Sequence, residues 1–168
     1  AQDLKAVSSL QRSYLPDPES PFARLNYQWL SVPSKYVSGD HLHVFELQPG
    51  VYGFYLLDVS GHGIPAAVKS MQLVQMFADN SSSSLVLEST ASNNGSRVVS
   101  RPRDVVARLN RLFQQTESDL SYFTMIYGIF NTETRQLSLC QAGHPSPILL
   151  TGQGGVQVLG QGGYPVGL

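Results

Sequence analysis

Two aspartates define the chemistry open to this sequence. Asp58 closes the apolar run Val51 to Leu57 and is followed by Val59-Ser60-Gly61-His62-Gly63, while Asp40 closes the triplet Ser38-Gly39-Asp40. Acids set beside glycines suit a hard cation or a phosphate: carboxylate and carbonyl oxygens bind the cation, and a residue without a Cβ lets backbone approach closely. The runs His41 to Leu47 and Val51 to Leu57 flank Gln48-Pro49-Gly50, a turn signal, so they read as a hairpin. With Leu47 opposite Val51, Val44 faces Phe54, Leu42 faces Leu56 and Asp40 faces Asp58. Opposed side chains in an antiparallel pair have Cβ atoms about 4.5–5.5 Å apart, where like charges repel unless something neutralises them. A divalent cation does so, and oxygen-only ligation favours Mg²⁺ or Mn²⁺, which keep positions open for water and a phosphate oxygen. Spacing alone equally allows two acids that merely end strands at a wet edge. A bulge shifting the register by one residue would send them to opposite faces.

The elements that must hold these acids follow from periodicity. Asp3 to Leu15 carries Leu4, Val7, Leu10 or Gln11, and Tyr14 at helical spacing, and Pro16 and Pro18 stop it. Two heptads fit either a connector from an upstream domain or a helix packed on its own domain. Leu25 to Val32 reads as a strand with Tyr27 and Trp29 on one face. Ile64 to Ala78 reads as a helix with Pro65 in its first turn and Ala67, Val68, Met71, Val74 and Ala78 along a mostly buried stripe. Its N-terminus follows the glycine-rich turn, so its dipole favours an anion there. Asp79 to Arg101 is rich in Ser and Asn and reads as a long loop, interrupted by Leu85-Val86-Leu87. Ser100 is the expected cap of a helix starting at Pro102, with Val105, Val106, Leu109, Leu112 and Phe113 inward and Asn110 on its surface. Tyr122 to Phe130, Gln136 to Ala142 and Ser146 to Thr151 read as strands, with turns at Asn131 to Thr134 and Gly152 to Gly155. Short connections and only two long internal helices favour antiparallel pairing, hence an α+β class.

Composition narrows the options. At 168 residues with 42% hydrophobic content, the chain makes one domain with a sizeable core. A net charge of −1 and a pI near 6.5 argue against nucleic acid as a partner. Cys140 stands alone, so no internal disulfide forms. No apolar run reaches the ~20 residues needed to span a bilayer, and no secretory signal leads the chain, so a cytoplasmic setting away from membranes is expected. His41 and His43 alternate on one strand face, but no third His or Cys accompanies them at zinc-like spacing.

Five segments in order resemble one family: Leu10-Gln11-Arg12-Ser13-Tyr14-Leu15-Pro16, Ser38-Gly39-Asp40, Asp58 to Gly63 with Pro65-Ala66-Ala67, Phe123-Thr124-Met125, and Ala142-Gly143-His144-Pro145. They are similar to the metal-dependent protein phosphatases (PPM, the type 2C protein phosphatases), in particular the bacterial SpoIIE/RsbU branch. The resemblance implies two stacked antiparallel β-sheets flanked by helices, an αββα sandwich. Residues 1–16 would be a connector helix from an upstream sensor or receiver domain, able to pair in a homodimer, and 17–168 the phosphatase domain. It implies hydrolysis of phosphoserine or phosphothreonine in a regulatory protein such as an anti-sigma-factor antagonist, as the output of a signalling response regulator. Asp40, Asp58 and the carbonyl of Val59 would hold one Mn²⁺ or Mg²⁺, with Asp58 bridging to a second, while Gly39, Ser60, Gly61, His62 and Gly63 shape the loop. A metal-bound water would attack phosphorus directly, with no nucleophilic side chain and no phosphoenzyme.

One departure from the family pattern matters. Its second metal takes further aspartates from a Thr-Asp-Gly-like motif that follows a stretch such as Gly163 to Leu168, and here no Asp or Glu occurs after Glu133. The sequence as given is therefore expected to form the first metal position and to lack the C-terminal metal-binding strand and loop. The same departure leaves an alternative: a catalytically degenerate, phosphatase-like adaptor that binds a sigma factor or its regulator.

Overall fold

The computed structural model describes residues 2–19, 22–33, 36–78, 85–89, 97–116 and 121–168. In chain order they form α1 (Gln2–Ser13), β1 (Asp40–Gln48), β2 (Val51–Val59), α2 (Ile64–Ala78), β3 (Leu87–Ser89), β4 (Arg97–Val99), α3 (Pro102–Thr116), β5 (Phe123–Asn131), β6 (Gln136–Ala142), β7 (Ile148–Leu150) and β8 (Val156–Val158). The class is α+β. A four-stranded antiparallel sheet runs in the order β1-β2-β5-β6, and β3-β4 and β7-β8 form two-stranded ribbons.

Alternation along the strands sorts side chains between two faces. One face presents His41, Tyr55, Leu57, Val59, Phe123, Met125 and Tyr127, all buried. Ala66, Leu73, Val105, Leu109 and Phe113 from α2 and α3 close over it, and Leu85 and Val86 complete the core. Each fully buried Leu, Val or Met contributes roughly 1.5–3 kcal/mol against its exposed state, so this face anchors the sheet. The opposite face, with Leu42, Val44, Phe54 and Leu56, is crossed by residues 25–30, and the two enclose a cavity of about 520 Å³. There Phe54 lies flat over Gly128, where any Cβ would strike the ring.

Several expectations need correction. Leu25 to Val32 is not a strand: it crosses the face of the sheet and, among the described residues, joins no strand ladder; Leu30 and Val32 are exposed. Residues 85–89 and 97–99 are not loop: Leu85 and Val86 are buried, and β3 pairs with β4. Residues 79–84 and 90–96 lie outside the described ones. Ser100 does not cap α3; its hydroxyl is buried without a partner, and the carbonyl of Arg101 accepts the first bonds, from Asp104 and Val105. In the first hairpin, a bulge between Glu46 and Gln48 pairs Val51 with Gln48 rather than Leu47. The bulge is confined to the turn, so the pairing further along is unchanged. Among the described residues no helix is long and apolar enough to cross a membrane.

Candidate active site

The register places Asp40 directly opposite Asp58, and Asp58 opposite Thr124 on the next strand. The three side chains form a row across β1, β2 and β5 at one end of the sheet, on the face away from α2 and α3. Val59, one residue on, turns inward and is buried. Burial raises the pKa of Asp58; the charge of Asp40, and a hydrogen bond between the two carboxyl groups, raise it further. Two carboxylates in such contact resist ionising together, a tension that a cation relieves.

The loop after β2 supplies the close backbone. Gly61 and Gly63 adopt φ of 98° and 75°, a left-handed conformation that favours glycine, and the carbonyl of Gly63 accepts from Ala67 to begin α2. Ser60 donates its N–H to the carbonyl of Tyr122, which fixes the loop to the approach of β5. His62 is exposed on it. Gly39 is needed for a different reason: a Cβ there would sit 2.8 Å from the carbonyl oxygen of Val59 and 3.3 Å from the Cβ of Ala66. No side chain fits where the backbone of Gly39 approaches the Val59 carbonyl.

Asp40 is held by Ser38, whose hydroxyl donates to Asp40 Oδ2 at 3.0 Å and accepts from the Asp40 N–H at 3.1 Å. Ser38 is in turn held by Gln11 of α1. Gln11 Nε2 donates to the Ser38 carbonyl at 2.6 Å, and Gln11 Oε1 accepts from the Ser38 N–H at 3.1 Å. The same Nε2 reaches Ser70 Oγ on α2 at 3.2 Å, and Ser70 Oγ donates to the Ala67 carbonyl. The helical stripe is thereby resolved at Gln11, 8% exposed, rather than at Leu10, which faces solvent.

On the other side of the row, Thr124 Oγ1 lies 2.8 Å from His144 Nδ1. Burial lowers the pKa of His144, while the charge of Asp40 acts in the opposite direction. His144 and Asp40 line a common cavity of about 210 Å³. Sequence reading singled out the segments containing Gln11, Ser38, Thr124 and His144 but assigned none of these residues to the acids. Their roles depend on register and on contacts between distant segments. Asn110 does more than decorate a helix surface: its Oδ1 accepts from the Gly167 N–H at 2.7 Å, beside the Phe123 and Val166 backbone pairing.

The available ligand set is thus two carboxylates and one carbonyl, all oxygen. Among the described residues no group of three or more His, Cys, Asp or Glu is placed to hold a metal.

An antiparallel sheet with paired acids at one end agrees with a known family. Residues 48–168 match the SpoIIE family, stage II sporulation protein E, and the chain belongs to it. It is 26% identical over 142 residues to phosphoserine phosphatase RsbU of Bacillus subtilis, covering 84% of this chain and 38% of that protein. It is 27% identical over 135 residues to phosphoserine phosphatase RsbP of the same species, covering 80% and 31%. The chain spans about a third of the length of these relatives. Among solved structures it is similar to the SiaA-PP2C domain of Pseudomonas aeruginosa, with a TM-score of 0.74 at 18% identity over 98% of this chain and 61% of that one. It is also similar to the PP2C phosphatase domain of SpoIIE from Bacillus subtilis, with a TM-score of 0.60 at 18% identity over 79% and 34%. At these identities the structural likeness speaks for the fold alone.

Proposed function

We propose that the chain is a metal-dependent protein serine/threonine phosphatase domain that hydrolyses phosphoserine or phosphothreonine in a regulatory protein. The observation that carries this reading is the direct opposition of Asp40 and Asp58 on adjacent strands, close enough for the Asp40 charge to raise the pKa of Asp58. Asp40, Asp58 and the Val59 carbonyl would hold one Mn²⁺ or Mg²⁺, and the oxygen-only donor set suits a hard cation. When bound, such a cation lowers the pKa of water, orients a phosphate and neutralises transition-state charge. Ser38 fixes the rotamer of Asp40, and Ser60 with Gly61 and Gly63 sets the path of the backbone beside the phosphate. The names of RsbU and RsbP support a phosphoserine substrate. By that kinship the substrate is a phosphoprotein such as an anti-sigma-factor antagonist, and α1 is the connector from an upstream sensor or receiver domain.

The test is phosphate release from p-nitrophenyl phosphate and from a phosphoserine protein with Mn²⁺ present. Asp58→Asn should lower turnover at least ~100-fold, given the several kcal/mol that a Lewis-acid cation contributes. Turnover undiminished in that variant removes the reading. The short ligand inventory among the described residues favours a second reading, a phosphatase-like adaptor for a sigma factor or its regulator. It predicts partner binding that survives Asp40→Asn with Asp58→Asn, and no Mn²⁺-dependent turnover.

A further inference from the structure

A cleft of about 660 Å³ lies between the C-terminal end of α1 and residues 29–33 and 36–38, and Asp40 forms part of its lining. It is far larger than a phosphoryl group requires and sits within the range of ligand sites. Its walls are apolar along Pro16, Trp29, Pro33 and Tyr36 and polar elsewhere, with Asp17 on the lining as well as Asp40, and Gln11 with Ser38 lies where it meets Asp40. Arg12 is the one cation among the described residues lining it, and it makes no ion pair with any of them. Trp29 contributes a further unspent group: its indole N–H is buried without an acceptor, a state that costs free energy until a partner is found.

We propose that this cleft receives the polypeptide flanking the phosphorylated residue of the substrate. The inference rests on the phosphatase reading above and extends it to specificity. An extended peptide lays prolines or apolar side chains against aromatic and proline faces, and its carbonyls offer acceptors to an indole N–H. The Arg12 guanidinium pairs with a single anionic group on that segment, the phosphate or one acidic side chain, while Asp17 and Asp40 on the same lining disfavour further negative charge. Since α1 supplies one wall, the helix is part of the substrate site as well as a lead-in to the domain.

Trp29 is the only tryptophan in the chain, so its emission reports on the cleft directly. The probe is a pool of nonapeptides with a central phosphoserine and degenerate flanks, titrated into the metal-free wild-type protein, in which no metal-dependent turnover occurs. A saturable change in Trp29 emission is expected. It should be weakened about tenfold by Arg12→Ala and also by Tyr36→Ala, an exposed position that guards against a folding defect in the first variant. The inference is overturned if the unphosphorylated pool binds equally well, if phenyl phosphate alone gives the same response, or if calorimetry detects phosphopeptide binding while Trp29 stays silent. Wild-type hydrolysis of p-nitrophenyl phosphate, run in parallel, separates the two readings. A catalytically active protein with a silent Trp29 sinks only the cleft, whereas a responsive Trp29 in a protein without Mn²⁺-dependent hydrolysis upholds the cleft and sinks the phosphatase.

Discussion

Gln11 on α1 grips the backbone of Ser38 with both ends of its side-chain amide, at 2.6 Å and 3.1 Å, and Ser38 Oγ in turn grips the carboxylate of Asp40. Gln11→Ala leaves a partly buried N–H and C=O of Ser38 without partners and should destabilise the protein by about 1–3 kcal/mol. Gln11→Glu should do the same, since it turns the 2.6 Å donor into an acceptor facing a carbonyl. In both variants Mn²⁺ affinity should fall roughly 10–100-fold, as happens when residues supporting a metal ligand are lost. Calorimetric titration checks this. Affinity unchanged in either variant would show that Asp40 is oriented without help from α1.

Asp58 tests charge repulsion. Its folded pKa is raised, by burial first and the Asp40 charge next, so the folded state takes up a proton more readily than the unfolded one. Stability on this account is highest below the ordinary carboxylate pKa and falls as pH rises through the raised value. At pH 7 without metal, Asp58→Asn should therefore raise stability by up to ~1 kcal/mol, the upper range for opposed like charges on a sheet before solvent screening. Mn²⁺ should raise the thermal midpoint of the wild type but not of the variant. A metal-free variant less stable than the wild type would contradict the repulsion.

His41 responds to pH in the opposite sense. Burial first, and the neighbouring His43, lower its pKa to about 4, and neither ring nitrogen has a hydrogen-bond partner. The unfolded chain binds a proton near pH 6.5 and the folded chain does not, so stability is retained above that value and lost between pH 6.5 and about 4. The shift corresponds to roughly 3 kcal/mol at most. His41→Leu should flatten denaturant midpoints across that window. An equally steep acid dependence in the variant would assign it to other groups.

Phe54 and Gly128 are fitted to each other across β2 and β5. Gly128→Ala should cost about 1–3 kcal/mol through overpacking. Adding Phe54→Leu should cost less than the sum of the two single changes, because the ring that clashes is gone. Simple additivity in urea unfolding would mean that the ring moves aside freely.

What the sequence disclosed and what it withheld divide along the range of the interactions involved. The hairpin was legible because Gln48-Pro49-Gly50 is a local signal, and the bulge at Leu47 disturbed pairing only beside the turn. α2 and β6 matched their expected limits because periodicity and Pro65 are local too. Leu25 to Val32 carries the pattern of a strand, but pairing needs a neighbour that no local pattern can supply. The Gln11 to Ser38 link spans 27 residues and the Thr124 to His144 contact spans 20, so both awaited the fold. His41 and His43 lack a third zinc-like partner in the sequence, and the fold buries the His41 ring in the core.

The β7-β8 ribbon carries one more consequence. Ile148, Leu150, Val156 and Val158 are each between 64% and 72% exposed, on a two-stranded element too small to shelter them. Such a surface is adhesive in water. At high protein concentration the 168-residue chain should self-associate through this ribbon, and charged residues at Ile148 and Val158 should keep it dispersed without touching the row of acids at the other element.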